Sequence, residues 1–321
     1  MRILITFNVL PDQRLIFEQY LKEKNEIIFS EDYPDNQKDS LISRSDILLT
    51  WNPEKEGLYS SDNNLLKNVQ FIQLLSAGYD HVKLDMLPLR IKVAANQGAY
   101  AEPMAEHVLA MILSLSKKLS IYHNKLKEGQ FNQLESLTKS IRGSVIGIIG
   151  FGSIGKKTAE LLKAFEVKIF AVNTTGKTND NVEFIGTLND LDYVLKNSDI
   201  LLISCPLTKE TEGLINKQKL ELMKDDAVLI NVARGAIINQ KDFYHHLKTH
   251  PNFYAGIDVW WVEPFKDGKF EIEYPFFELP NLLGSPHNSA SVKDALKLGT
   301  EKAAENVRRF INNESITGLI I

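Results

Sequence analysis

Three polar residues, Arg234, Glu263 and His287, each stand just past an apolar run that reads as a β-strand. They lie in Asn231-Val-Ala-Arg234-Gly235, Asp258-Val-Trp-Trp-Val-Glu263-Pro264 and Ser285-Pro-His287-Asn. A guanidinium holds a carboxylate or carbonyl oxygen in a fixed fork, which an ammonium does poorly. An imidazole titrates near neutral pH and exchanges a proton with an alcohol or carbonyl. A carboxylate beside it favours the imidazolium. Next to a nicotinamide, this set would reduce a 2-oxo acid or oxidise a 2-hydroxy acid. Taken singly, each also reads as a surface Arg, a loop Glu or a satisfied His. Their shared place beyond strand ends, where open α/β sheets bind ligands, favours chemistry.

A nucleotide site is readable upstream in VIGIIGFGSIG, residues 145–155. A β-branched run enters it, Gly150, Gly152 and Gly155 follow, and a helical pattern leaves it. Gly150 permits the tight turn, Gly152 a close approach to phosphate, and Gly155 helix–strand packing. The helix start then favours a pyrophosphate through its amides and dipole. Glycines also mark ordinary turns; the strand before and the helix after separate this loop from those.

The elements that position these groups follow a βαβ rhythm. Strands are predicted at 3–7, 26–29, 46–50, 71–75 and 91–95, and then at 145–149, 168–172, 200–205, 227–232, 254–259 and 282–285. Near-continuous apolar strands alternating with helices predict doubly wound parallel sheets covered on both faces. A helix over 13–23 places Leu15, Phe17 and Leu21 close to one face. Another over 101–119 carries Met104, Val108, Met111, Ile112, Leu115 and Leu119 as an apolar stripe, for the core or for a second copy of the chain. Helices are also predicted over 154–165 and 292–310. The boundary between two domains falls near 96–100.

Composition sets the class. The 321 residues are 44% hydrophobic and 24% charged, enough for two globular domains. A net charge of −4 with scattered Lys and Arg gives no footprint for nucleic acid or an anionic membrane. The lone Cys205 fits a reducing, cytoplasmic setting, and MRILITF reads as a first strand, not a targeting segment. No apolar run is long enough to span a bilayer. No His, Asp or Glu cluster has metal-ligand spacing, so no metal is expected. His245 and His246 read as solvated surface. Trp51, after a strand end, lines a substrate pocket or packs; of Trp260 and Trp261, one walls the site and the other fills core.

Seven segments in order resemble the D-isomer-specific 2-hydroxyacid dehydrogenases: LLSAGYDHV (74–82), AEPMAEHVLAMIL (101–113), GIIGFGSIG (147–155), PLTKETEGLIN (206–216), NVARGAIIN (231–239), DVWWVEP (258–264) and SPHNSA (285–290). The resemblance covers almost the whole chain. It implies a Rossmann dinucleotide-binding domain over 99–289 and a flavodoxin-like substrate domain made of 1–98 and 290–321. It implies His287 as general acid, Glu263 as its partner, and Arg234 on the substrate's carboxylate and carbonyl oxygen. Amides around Ser76, Ala77 and Gly78 would cradle the carboxylate, with Trp51 nearby. Ser153 and Ile154 would lie under the pyrophosphate, and Cys205, Pro206 and Thr211 on the adenosine side. Val232, Ala233, Asp258, His287 and Ser289 would meet the nicotinamide end, Asp258 holding its carboxamide. The helix beginning near Ala101 would join two subunits of a homodimer.

NAD-preferring members carry an acidic residue about twenty positions past the glycines, gripping the ribose hydroxyls. Here Asn173 stands there, followed by Thr174, Thr175, Gly176 and Lys177. Losing the carboxylate removes repulsion toward a 2′-phosphate, and two hydroxyls and a Lys suit one, although the loop has no Arg. NADP(H) is therefore favoured over NAD(H). SAGYD resembles glyoxylate/hydroxypyruvate reductases more than the phosphoglycerate type. A D-lactate or broad 2-ketoacid reductase is the alternative enzyme, and a dinucleotide-sensing, corepressor-like binding module the alternative class.

Overall fold

The computed structural model describes residues 1–59 and 64–321. The chain divides into two compact units, Met1–Tyr100 with Val292–Ile321, and Ala101–Ser291.

In the first unit five strands, β1 (Arg2–Ile5), β2 (Glu26–Phe29), β3 (Ile47–Thr50), β4 (Phe71–Leu74) and β5 (Lys92–Ala94), form a sheet in the order 2-1-3-4-5. Every pairing is parallel, with Ile3 opposite Ile47 and Ile47 opposite Phe71. This is the flavodoxin-like doubly wound order. Helices α1 (Pro11–Leu21) and α2 (Lys38–Ser43) follow the first two strands. A later helix returns the chain to this unit and packs on α1, where Gln13 Nε2 donates to Thr300 Oγ1 at 2.9 Å. The last residues then run beside β5, with the Val93 amide donating to the Ile321 carbonyl.

In the second unit seven parallel strands line up as β12-β11-β10-β9-β6-β7-β8. They are β6 (Val145–Ile149), β7 (Lys168–Val172), β8 (Phe184–Gly186), β9 (Ile200–Ile203), β10 (Val228–Asn231), β11 (Tyr254–Ile257) and β12 (Leu282–Gly284). The order reverses beside β6, the first strand of this unit, as in the Rossmann fold. All four residues of β9 and of β10 are buried, because helices cover both faces. The helices of this unit are α3 (Ala101–Ser116), α4 (Leu119–Lys127), α5 (Ser153–Leu162), α6 (Leu191–Asn197), α7 (Lys217–Leu220), α8 (Gln240–Thr249) and α9 (Pro264–Asp267); α10 (Ala295–Ile311) is the returning helix of the first unit.

Three departures from the sequence reading have local causes. The 101–119 helix breaks at Lys118, which adopts a left-handed φ of 51°, and α4 starts beyond it. Leu119 is consequently exposed, while Val108, Met111, Ile112 and Leu115 are buried. In α1 the buried residues are Gln13, Ile16, Phe17 and Leu21, and Leu15 points outward at 63% exposure. A buried Gln13 is affordable because its amide is bonded to Thr300. Finally, β8 is an edge strand of three residues that the sequence reading lacked.

Candidate active site

The glycine loop joins β6 to α5. Gly150 has φ +94°, and a Cβ built on it would lie 2.5 Å from the Cys205 amide nitrogen. A Cβ on Gly155 would lie 2.8 Å from the Gly150 carbonyl oxygen and 3.0 Å from Ile148. Both positions therefore exclude a side chain. Gly152 differs: nothing lies within 4 Å of its Cβ position, so its backbone faces open space. It is the N-cap of α5 and brings no side-chain cap, leaving the first-turn amides at Ser153 and Ile154 to an incoming acceptor. Amides plus helix dipole fit an anionic pyrophosphate.

Asn173 follows β7 and closes a small turn on itself. Its Oδ1 accepts from the amides of Thr175 (3.1 Å) and Gly176 (2.7 Å), and its Nδ2 donates to the Lys177 carbonyl (2.9 Å). Thr174, Thr175 and Lys177 are exposed on that turn. After β9, Cys205 is buried and its thiol is pushed up to about 12 by burial, which makes it a poor nucleophile. Thr211 Oγ1 donates to the Pro206 carbonyl at 2.7 Å and accepts from the Thr208 amide, so it ties the loop rather than projecting from it.

The polar loops after β10, β11 and β12 meet. Asn231, buried, accepts from the Ala233 amide and donates to the Arg234 carbonyl (both 3.0 Å), which shapes the Arg234 turn. Val232 and Ala233 are buried in it, and Arg234 Nη1 donates to the Ala233 carbonyl. Glu263 Oε2 lies 2.6 Å from His287 Nδ1. His287 has a left-handed φ of 51°, a conformation that costs a non-glycine residue about 1–2 kcal/mol. Asp258 restrains it: Asp258 is fully buried and accepts from the amides of Asn288 and Ser289, both at 3.0 Å, and from the Ser285 hydroxyl at 2.5 Å. Burial raises its carboxyl, but these donors outweigh burial and hold it below the ordinary carboxylate range. The Asp258 oxygens are thus turned into their own loop, where the resemblance expects them on a nicotinamide carboxamide.

His107 on α3 was not singled out from sequence; its Nε2 lies 3.1 Å from the Ser285 hydroxyl. It lies within the AEPMAEHVLAMIL segment, but nothing in that segment points to Ser285, because the contact joins residues 178 positions apart. Trp261 Nε1 donates to the Ile238 carbonyl, and its ring stacks on Phe276. His246 departs from the expected solvated surface: it is 9% exposed, stacked on His250, and burial lowers its imidazole to about 4. His245, its neighbour, is exposed.

In the first unit, Trp51 follows β3. Glu56 accepts from the amides of Trp51 and Asn52, His81 Nε2 lies 3.0 Å from the Trp51 carbonyl, and Phe7 meets the indole edge to face. Ser76, Ala77 and Gly78 form a partly buried turn after β4, with Ser76 Oγ donating to the Gly78 carbonyl.

A family model described as D-isomer specific 2-hydroxyacid dehydrogenase, NAD binding domain, matches residues 109–289. The chain belongs to this family. This dehydrogenase is 32% identical to a hydroxypyruvate reductase of Thermotoga maritima over 71% of its own length and 73% of the relative's. It is 29% identical to a glyoxylate reductase of Thermofilum pendens over 94% and 89% of the two chains. Its fold matches that of a D-isomer specific 2-hydroxyacid dehydrogenase from Xanthobacter autotrophicus, solved with NADPH and MES, with a TM-score of 0.80 at 20% identity over 99% and 98% of the chains. It is accordingly an oxidoreductase that uses a nicotinamide cofactor, and the corepressor-like alternative is not favoured. Among the described residues, no group of three or more His, Cys, Asp or Glu could hold a metal ion, and no helix is long and apolar enough to cross a membrane.

Proposed function

We propose that this dehydrogenase reduces a small 2-oxo acid of the glyoxylate or hydroxypyruvate kind to the 2-hydroxy acid, of D configuration where the product is chiral. The observation that carries the reading is the 2.6 Å pair of His287 and Glu263, in the unit that also holds the glycine loop and Arg234. The bound nicotinamide supplies the hydride. Glu263 takes the Nδ1 side of His287, which leaves Nε2 to give a proton to the developing alkoxide. Arg234 fixes the substrate's carboxylate and carbonyl oxygen through its planar fork. In the first unit, the backbone of Ser76, Ala77 and Gly78 holds the substrate's carboxylate and Trp51 meets its remaining substituent.

The cofactor is NADPH in preference to NADH. Asn173 brings no carboxylate to the ribose, and its side chain is spent on its own turn, which presents Thr174, Thr175 and Lys177 outward. Gly150, Gly152, Ser153, Ile154 and Gly155 take the pyrophosphate. The substrate unit is assigned to both chain ends and the cofactor unit to the middle of the chain. A homodimer belongs to the same reading, supported by Phe131, Leu134 and Leu137 beyond α4, all three exposed.

Following absorbance at 340 nm with glyoxylate, hydroxypyruvate, pyruvate and phenylpyruvate, each with NADPH and with NADH, tests the reading. The highest kcat/KM is expected with NADPH and either glyoxylate or hydroxypyruvate. Preference for pyruvate or phenylpyruvate would give the substrate assignment to the D-lactate or broad 2-ketoacid alternative.

A further inference from the structure

Trp260 touches all three loops that carry Arg234, Glu263 and His287. It is 7% exposed. Its amide donates to Glu263 Oε1 at 2.6 Å, and its indole Nε1 donates to the Ser285 carbonyl at 2.9 Å, two residues before His287. On its other side the backbone presses on Gly235: a Cβ there would come within 2.4 Å of the Trp260 carbonyl. A Cβ on Gly284 would come within 2.8 Å of indole Cζ2. The ring is further held by Phe277, 5.1 Å away, and by Phe270, edge to face at 5.5 Å.

We infer that Trp260 is a positioning residue for the proton donor, setting the separation of Glu263 and His287. Glu263 has two oxygens. With Oε1 fixed by the Trp260 amide, Oε2 has one orientation left, and that one meets His287 Nδ1. His287 is in turn anchored on both sides, by the indole at Ser285 and by Asp258 at Asn288 and Ser289. The indole N–H is a donor only and belongs to a rigid ring, so it transmits a fixed distance where a flexible side chain would not. The same residue thereby orients the carboxylate and locates the imidazole that it faces.

This inference rests on the proposed acid–carboxylate pairing, and the experiment separates the two. Trp260→Phe keeps a ring but deletes the N–H; Gly284→Ala leaves Trp260 intact but crowds its six-membered ring. Both are compared with wild type and Glu263→Gln by the pH dependence of reduction and by NADPH titration. Each is expected to lower kcat about 3- to 10-fold, with NADPH affinity within about twofold of wild type and the alkaline limb of the rate profile moved to lower pH. In the Glu263→Gln background, Trp260→Phe should move that limb no further. A limb that moves in Glu263→Gln but stays in place in both Trp260→Phe and Gly284→Ala overturns the inference alone. A limb that stays in place in Glu263→Gln overturns the pairing and the inference with it.

Discussion

His287 Nδ1 stands 2.6 Å from Glu263 Oε2 while the His287 backbone is held at a φ of +51°. A histidine rarely adopts that conformation without something to hold it, and here the Asp258 carboxylate binds the two amides that follow. The pair is therefore built from main chain and side chain together.

Glu263→Gln keeps the shape of the pair and removes its charge. Reduction needs the imidazolium, which loses its anionic neighbour, so activity should fall off at lower pH on the alkaline side than in wild type. A kcat/KM profile from pH 5 to 10 checks this. Coincident alkaline limbs would count against the pairing.

Asn173→Asp keeps the acceptor used by the Thr175 and Gly176 amides, so the turn should survive. It adds a charge that repels a 2′-phosphate and accepts from ribose hydroxyls. The ratio of kcat/KM for NADPH to that for NADH should drop about tenfold or more, one unfavourable charge pair being worth about 1–2 kcal/mol near a surface. An unchanged ratio would mean that this turn does not select the cofactor.

His246 gives the fold an acid-labile point. Burial lowers it from 6.5 to about 4, with His250 adding to the effect and Asp225 opposing it. The unfolded chain takes up this proton near 6.5 and the folded chain only near 4. Stability from this residue is therefore complete above about 6.5, falls as the pH drops toward 4, and is level below, a loss of about 3 kcal/mol. Urea midpoints at pH 7, 5.5 and 4 should fall more steeply for wild type than for His246→Leu. Parallel decline in the two proteins would exclude His246 as the cause.

Long apolar runs made most of the fold legible. The bounds of β6 and β7 coincide with the predicted strands, whose cores are the apolar runs VIGII and IFAV. The edge strand β8, three residues long, has no such run, and α4 begins after a left-handed Lys118 that periodicity does not register. Of the site, residue type and place beyond a strand end singled out Arg234, Glu263 and His287. What joins them was not legible: Asp258, Trp260 and His107 act through backbone groups and partners far along the chain, and no spacing rule encodes those contacts. His246 reads as solvated surface beside His245, but its burial is decided by packing on His250 and Phe253, which its place in the sequence does not show.

The most direct measurement compares wild type with His287→Gln in the NADPH-linked reduction of glyoxylate and hydroxypyruvate, with NADPH binding titrated in parallel. Glutamine keeps the polarity but transfers no proton. The expected result is turnover lower by roughly 100-fold or more with NADPH affinity retained. Turnover within a few-fold of wild type would contradict His287 as the proton donor.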